Sequence, residues 1–319
     1  MRRLLILAAL CVVSSSAVAQ GGGDPPAGRG GRGAGRGNAP QPGRVAPDTP
    51  RPIEAGQSLW AEELTFMEVR DLVKAGTTTI IIGTGGVEQN GPYTAGGKHN
   101  FVLATVMPYI ARKVGNTLLA PIVKFVPEGR HEPPSGHMLY AGTVSLEQAT
   151  FEALLRDIAR SYKAHGFTDI VLIGDSGGNQ NGMRNVADSL NKQWSADPNT
   201  RARVHFLPEY YSEDQWSWDY LKSLGFVQID TLAATPEQRN RRADTRNGMH
   251  DDIYYEAQIA VQNPELVRVN QRLKLGKLTL HGVDLVSAEK LIEIGKQLAE
   301  YRAGITARAL EASRKKLRP

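Results

Sequence analysis

Two stretches constrain this chain more than any others. "TTTIIIG" (Thr77 to Gly83) and "TDIVLIG" (Thr168 to Gly174) are apolar at consecutive positions, through Ile80–Ile82 and Ile170–Ile173. A strand with one wet face alternates apolar and polar residues, so these two strands need cover on both faces. Around them the periodicity is helical. "LTFMEVRDLVKAG", "NFVLATVMPYIARKVG", "SLEQATFEALLRDIARSYKAHG" and "NGMRNVADSLNKQW" each carry an apolar stripe, and a long helical run spans about 287 to 317. This alternation predicts a three-layer α/β/α sandwich around a mostly parallel central sheet. "ARVHFL" adds a strand, and Pro121 in "TLLAPIVKFV" predicts an edge strand or an irregularity. Ser145 and Gln148 have the spacing of a capping box.

The ends of the chain read differently. Residues 1–19 have the form of a secretory signal, with Arg2 and Arg3, an apolar "LLILAALCVV", and "AVA" before Gln20. That apolar run is too short for a mature spanning helix, so no stable membrane anchor is expected, and the product should be exported, periplasmic or secreted. The only cysteine, Cys11, lies within it. The mature chain would therefore have neither disulfides nor thiolate chemistry. Residues 20–52 are nearly all Gly, Pro, Ala and Arg, which cannot bury enough surface to offset the entropy of ordering; they are expected to form a disordered linker. Much of the formal charge of +5 sits in these two segments, so no nucleic-acid surface is implied for the rest. Residues 53–319 suffice for one large α/β domain.

Ligands of parallel sheets gather at the carboxyl ends of the strands. There the chain places "GVEQNGPYTAGGKHN", with Glu88 and His99, and "GDSGGNQNG", with Asp175. These groups are either ligands or solvated loop and helix-capping residues. "GDSGGN" has no P-loop lysine and does not follow the dinucleotide fingerprint. Gly174 to Gly178 do fit the nucleophile-elbow pattern, which leaves a metal-free serine hydrolase using Ser176 as one reading. Among the histidines, His165 reads as a helix cap, His205 and His281 as structural, and His131 as a loop residue without a partner nearby. His99, His137 and His250 are the functional candidates. His250 adjoins Asp251 and Asp252, a pattern of metal or acid–base chemistry, or of a solvated turn.

In this order, "GTGGVEQNGPYTAGGKHN", "GHMLYAGTVSL", "GDSGGN" and "GMHDDIYYEA" resemble the successive signature blocks of the creatininase family, over roughly residues 58 to 310. The resemblance implies a three-layer amidohydrolase, often hexameric, that opens small cyclic or linear amides with water on divalent metals. Glu88 matches the family's glutamate. Asn90 stands where the family has a ligand histidine, His99 where it has a bridging aspartate, and Ser176 where it has another histidine. The set then left is Glu88, His99 and Asp175, which suits one divalent ion per chain: Zn, Mn or Fe. His250, steered by Asp251 or Asp252, is the expected acid–base group. Asn90, His137, Ser176 and Asn179 are expected against the substrate. A catalytically silent small-molecule-binding protein on the same fold is the other reading.

Overall fold

The computed structural model describes residues 45–212, 215–226 and 252–317. The described residues from Thr49 onward form one compact body. Among the described residues the main sheet has four parallel strands, β1 (Thr79–Thr84), β2 (Thr117–Leu119), β3 (Asp169–Gly174) and β4 (Arg203–Phe206), in the order β2-β1-β3-β4. β1 and β3 pair along their whole length, from Thr79 opposite Asp169 to Thr84 opposite Gly174, and every residue of both is buried. β2 is an edge strand, as Pro121 just beyond it suggested.

The helices are α1 (Phe66–Lys74), α2 (Lys98–Val114), α3 (Gln148–Ala164), α4 (Gln180–Ser195), α5 (Glu209–Ser212), α6 (Gln215–Ser223), α7 (Ile253–Gln262), α8 (Val269–Lys274) and α9 (Ala288–Leu317). Ile81, Val171 and Ile173 face one core, with α2, α6, α7 and α9. Ile80, Ile82, Ile170 and Leu172 face the other, with α3 and α4 buried and α1 packed at its margin. The sheet is thus the middle of three layers.

The connections explain where a site can form. From β1 the chain crosses through α2 to β2 on one side; from β2 it crosses back through α3 to β3 on the other. Right-handed crossovers in opposite directions put α2 and α3 on opposite faces. The reversal opens a crevice at the carboxyl ends of β1 and β3, the usual ligand position in such sheets. Glu88 and Asp175 lie beyond these two strand ends.

Ser145 does not cap α3. The N-cap is Glu147 without a side-chain cap bond, and Ser145 Oγ instead receives Glu128 N–H (2.9 Å) and donates to Gly129 O (2.7 Å). A capping box does form at α1, between Thr65 and Glu68. His131 has partners after all, with Glu147 Oε1 and Ser145 O each at 3.1 Å. His205 is structural, set between Asp169 and Ser313.

Candidate metal centre and pocket

The loop after β1 is braced by amides. Asn100 grips the Gly86 peptide from both sides, receiving its N–H (3.2 Å) and donating to its carbonyl (2.8 Å). Gly86 has φ +153°, and a Cβ there would collide with Glu128 Oε1, so this turn and the neighbouring carboxylate together require glycine. Asn90 Nδ2 donates to Glu88 O (3.0 Å) and Ala95 O (3.2 Å), closing the loop on itself. Asn179 Nδ2 donates to Thr84 O (3.0 Å) and Gly85 O (2.9 Å), tying the β3 loop to the end of β1. Both asparagine amides expected against substrate therefore hold the frame of the crevice.

Glu88, His99 and Asp175 come together as the sequence suggested, in a hydrogen-bonded line. His99 Nδ1 lies 2.8 Å from Asp175 Oδ2 and His99 Nε2 lies 2.9 Å from Glu88 Oε1. The other oxygen of Asp175 accepts from Arg302 (2.7 Å) and from the Tyr210 hydroxyl (3.1 Å). Arg302, on α9, also donates to Gln258 (3.1 Å) and lies over the Tyr210 ring. Every charged member of this line is buried.

The atoms that converge on one point belong to a different set. Ligand atoms of Glu88, Glu128 and His137 all lie within 4.8 Å of one another. His137 Nε2 is 3.1 Å from Glu88 Oε2. Glu128 Oε1 is buried with no hydrogen-bond partner among the described residues. Two carboxylates and an imidazole form a donor set that suits Zn, Mn or Fe, and an orphaned buried carboxylate oxygen is the feature a cation would satisfy. These residues fit a divalent metal.

The electrostatics agree with that fit. Burial, then the charge and hydrogen bond of Glu88, push the Glu128 carboxyl up to about 9 against the opposing Lys98 charge. Without a cation it keeps its proton at neutral pH. Burial lowers the pKa of half-buried His137 against the pull of Glu88, with Lys98 and His99 adding to the lowering, which favours the neutral, ligating imidazole. Burial and Lys98 press the His99 pKa down, but the bonds to Asp175 and Glu88 outweigh them and raise it. Burial would raise Asp175, yet Arg302 and then His99 hold it below the usual carboxylate value.

Glu88, His99, Glu128 and His137 border a pocket of about 340 Å³, closed further by Pro127, Ser176, Gly177, Gly178, Tyr211 and Tyr255. Lys98 lies in its wall, 3.4 Å from Glu88 Oε1 and 4.4 Å from the centre of the Tyr255 ring. Ser176 borders the pocket, but its hydroxyl meets no imidazole in any hydrogen bond among the described residues. Asp252 is the N-cap of α7, accepting from Tyr255 N–H at 3.0 Å. His250 and Asp251 lie outside the described residues.

Sequence reasoning missed Glu128, Lys98 and Arg302. Lys98 directly precedes His99 in "GGKHN" and was legible as a neighbour. Glu128 sits in the irregular "VPEGRHEPP", and Arg302 in a helix rich in surface arginines, so neither had a distinguishing pattern.

Comparison with known proteins bears on the same regions. The creatininase family model, described as creatinine amidohydrolase, matches residues 62–316. A creatinine amidohydrolase from Pseudomonas putida is 27% identical over 117 residues, 37% of this chain and 44% of that protein, so the alignment spans less than half of that relative's length. Among solved structures, a creatinine amidohydrolase (creatininase) aligns with TM-score 0.52 at 19% identity, over 83% of this chain and 100% of that one. A manganese creatininase aligns with TM-score 0.52 and a glutamate-to-glutamine mutant creatininase complexed with creatine with 0.53, each at 19% identity and covering 82% of this chain and 100% of the other. At that identity the structures speak to the fold. The family match takes in both strand-end loops, Glu128 and His137, and with it the chain belongs to the creatininase family.

Proposed function

We propose that this protein is a metal-dependent hydrolase of a C–N bond in a small cyclic or linear amide. The observation that carries this reading is the convergence of Glu88, Glu128 and His137 in a small pocket at the sheet's reversal point, in a creatininase-family chain. A divalent ion held by these three would polarise a carbonyl and make bound water acidic. The protein's own part is to prepare the ligands and fix the substrate. His99 orients the Glu88 carboxylate, and Asp175, clamped by Arg302 and Tyr210, orients His99. Such outer partners fix ligand orientation and basicity. The Tyr255 ring packs edge-on to His99 (5.8 Å). Ser176, Gly177 and Gly178 line the pocket, and Ser176 is proposed to contact the substrate.

For proton transfer to the leaving nitrogen, His250 with Asp251 or Asp252 is proposed from the sequence; His250→Ala should lower turnover while metal content holds. We further propose a chain exported after loss of residues 1–19 and active as a homo-oligomer. N-terminal mass determination and light scattering on protein from the native cell would test these two points. Among the described residues no helix is long and apolar enough to cross a membrane.

The direct test of function is turnover of a panel of small cyclic and linear amides by metal-replete protein. Activity that a chelator removes and Mn²⁺ or Zn²⁺ restores is expected; chelator-resistant activity would overturn the metal role. A second reading, a metal-free binding protein, is favoured by one observation: the buried cations Lys98 and Arg302 already lie against Glu88 and Asp175. Absence of turnover with any amide, together with tight ligand binding by metal-free protein, would select it.

A further inference from the structure

Lys98 is 1% exposed, in the pocket wall, at the first position of α2. Its ammonium has three donors, and its ion pair with Glu88 is a long one. Its neighbours are Glu88 Oε1, 3.4 Å away, and the face of Tyr255. Glu88 Oε1 is already engaged by His99 at 2.9 Å. The other buried cations hold more acceptors, although Arg302 Nε has none among the described residues. Arg302 bonds Asp175, Gln258 and the Tyr210 carbonyl, and Arg272 bonds Glu256 and the carbonyls of Val267 and Lys277. A cation at a helix N-terminus is also opposed by the macrodipole. Burying an ammonium with few acceptors is costly, and a ligand oxygen entering the cavity beside it would supply another.

We infer that Lys98 is the pocket's receptor for an anionic oxygen of the ligand. Two sources have this chemistry. One is a carboxylate that the substrate carries. The other rests on the hydrolase reading above. Water adds to the amide carbonyl carbon, the C–N bond breaks, the amine leaves with a proton, and the former carbonyl oxygen ends as part of a carboxylate. An ammonium at that oxygen interacts more strongly as its charge grows, which is the differential binding that accelerates a reaction.

The test uses Lys98→Met and Lys98→Arg in the full mature chain, with metal content and melting temperature measured for each. Acetate is the probe, followed by ligand-observed NMR. Lys98→Met should weaken acetate binding about tenfold or more, with metal content unchanged, and Lys98→Arg should restore most of it. Equal acetate binding in wild type and Lys98→Met would overturn the inference, as would loss of acetate binding only in step with loss of metal. On the amide panel, a fall of about 100-fold in kcat with KM unchanged in Lys98→Met assigns the carbonyl oxygen. A rise in KM confined to carboxylate-bearing amides assigns the substrate carboxylate. If no amide turns over but acetate binding still depends on Lys98, the hydrolase reading fails and the anion receptor stands.

Discussion

His99 Nε2 lies 2.9 Å from Glu88 Oε1, while the other oxygen of that carboxylate faces His137 at 3.1 Å. Glu88 is thus divided between an orienting imidazole and the atoms that converge on a metal. His99 has its second nitrogen on Asp175, so it reaches a metal only by abandoning a buried bond. The prediction is one divalent ion per chain, lost in Glu128→Ala and in His137→Ala. His99→Gln should keep the ion with affinity reduced about 10- to 100-fold, as expected for an orienting partner. Elemental analysis and a competition titration with a chelating dye read both quantities. Undiminished affinity in His137→Ala would remove it from the ligand set; complete loss in His99→Gln would make His99 a ligand.

The parts of this molecule that were legible in advance follow from periodicity. Ile80–Ile82 and Ile170–Ile173 are continuous because helices cover both faces of β1 and β3, and the parallel pairing of these strands places Glu88 and Asp175 at one end of the sheet. What was not legible depends on contacts distant in sequence. Arg302 meets Asp175 across 127 positions. Glu128 reaches Glu88 through a loop with no period, and Ser145, which looked like a helix cap, serves to hold the Glu128 amide. A capping-box spacing cannot by itself say whether the hydroxyl has a better donor elsewhere.

The start of the folded body gives a second prediction. Residues 20–48 have no core-forming sequence, and removing them should leave the melting temperature nearly unchanged. The next residues do make bonds. Arg70 donates to Thr49 O (2.6 Å), Arg51 pairs with Asp71 (3.8 Å), and Gly56 N–H donates to Glu68. Extending the deletion to residue 58 should therefore lower the melting temperature by several degrees, since a body of this size shifts about 2–4 °C per kcal/mol. Calorimetry on the two truncations reads this; equal melting temperatures would place the boundary later in the chain.

Glu68 supplies a pH dependence outside the candidate metal centre. Hydrogen bonds from Gly56 N–H first, and Thr65 N–H second, hold its carboxyl down from 4.5 to about 2. Its folded pKa lies below the unfolded one, so its contribution is complete above pH 4.5 and is lost as pH falls from 4.5 towards 2. Wild type should melt above Glu68→Gln at pH 7, and the gap should close on acidification through that window. A gap that stays constant from pH 7 to pH 3 would mean that the residue acts through packing, not charge.

The buried Arg302–Asp175 pair carries the last prediction. The two meet at 2.7 Å with side chains 3% and 0% exposed, beneath the floor of the site. Removing one partner from such a pair leaves an uncompensated buried charge and costs ~3–5 kcal/mol. Arg302→Met should lose about that much, and Asp175 should then draw more heavily on His99 and Tyr210, its remaining partners. Arg302→Met combined with Asp175→Asn removes both charges and should recover part of the loss, giving a coupling energy well above 1 kcal/mol in a double-mutant cycle. Urea unfolding of the four proteins measures it. The same variants divide stability from function: the double variant should be folded, yet bind metal more weakly than wild type, because His99 has lost the carboxylate that fixes its ring. If the double variant is no more stable than Arg302→Met, and its metal affinity equals that of wild type, the line from Arg302 to Glu88 transmits nothing to the site.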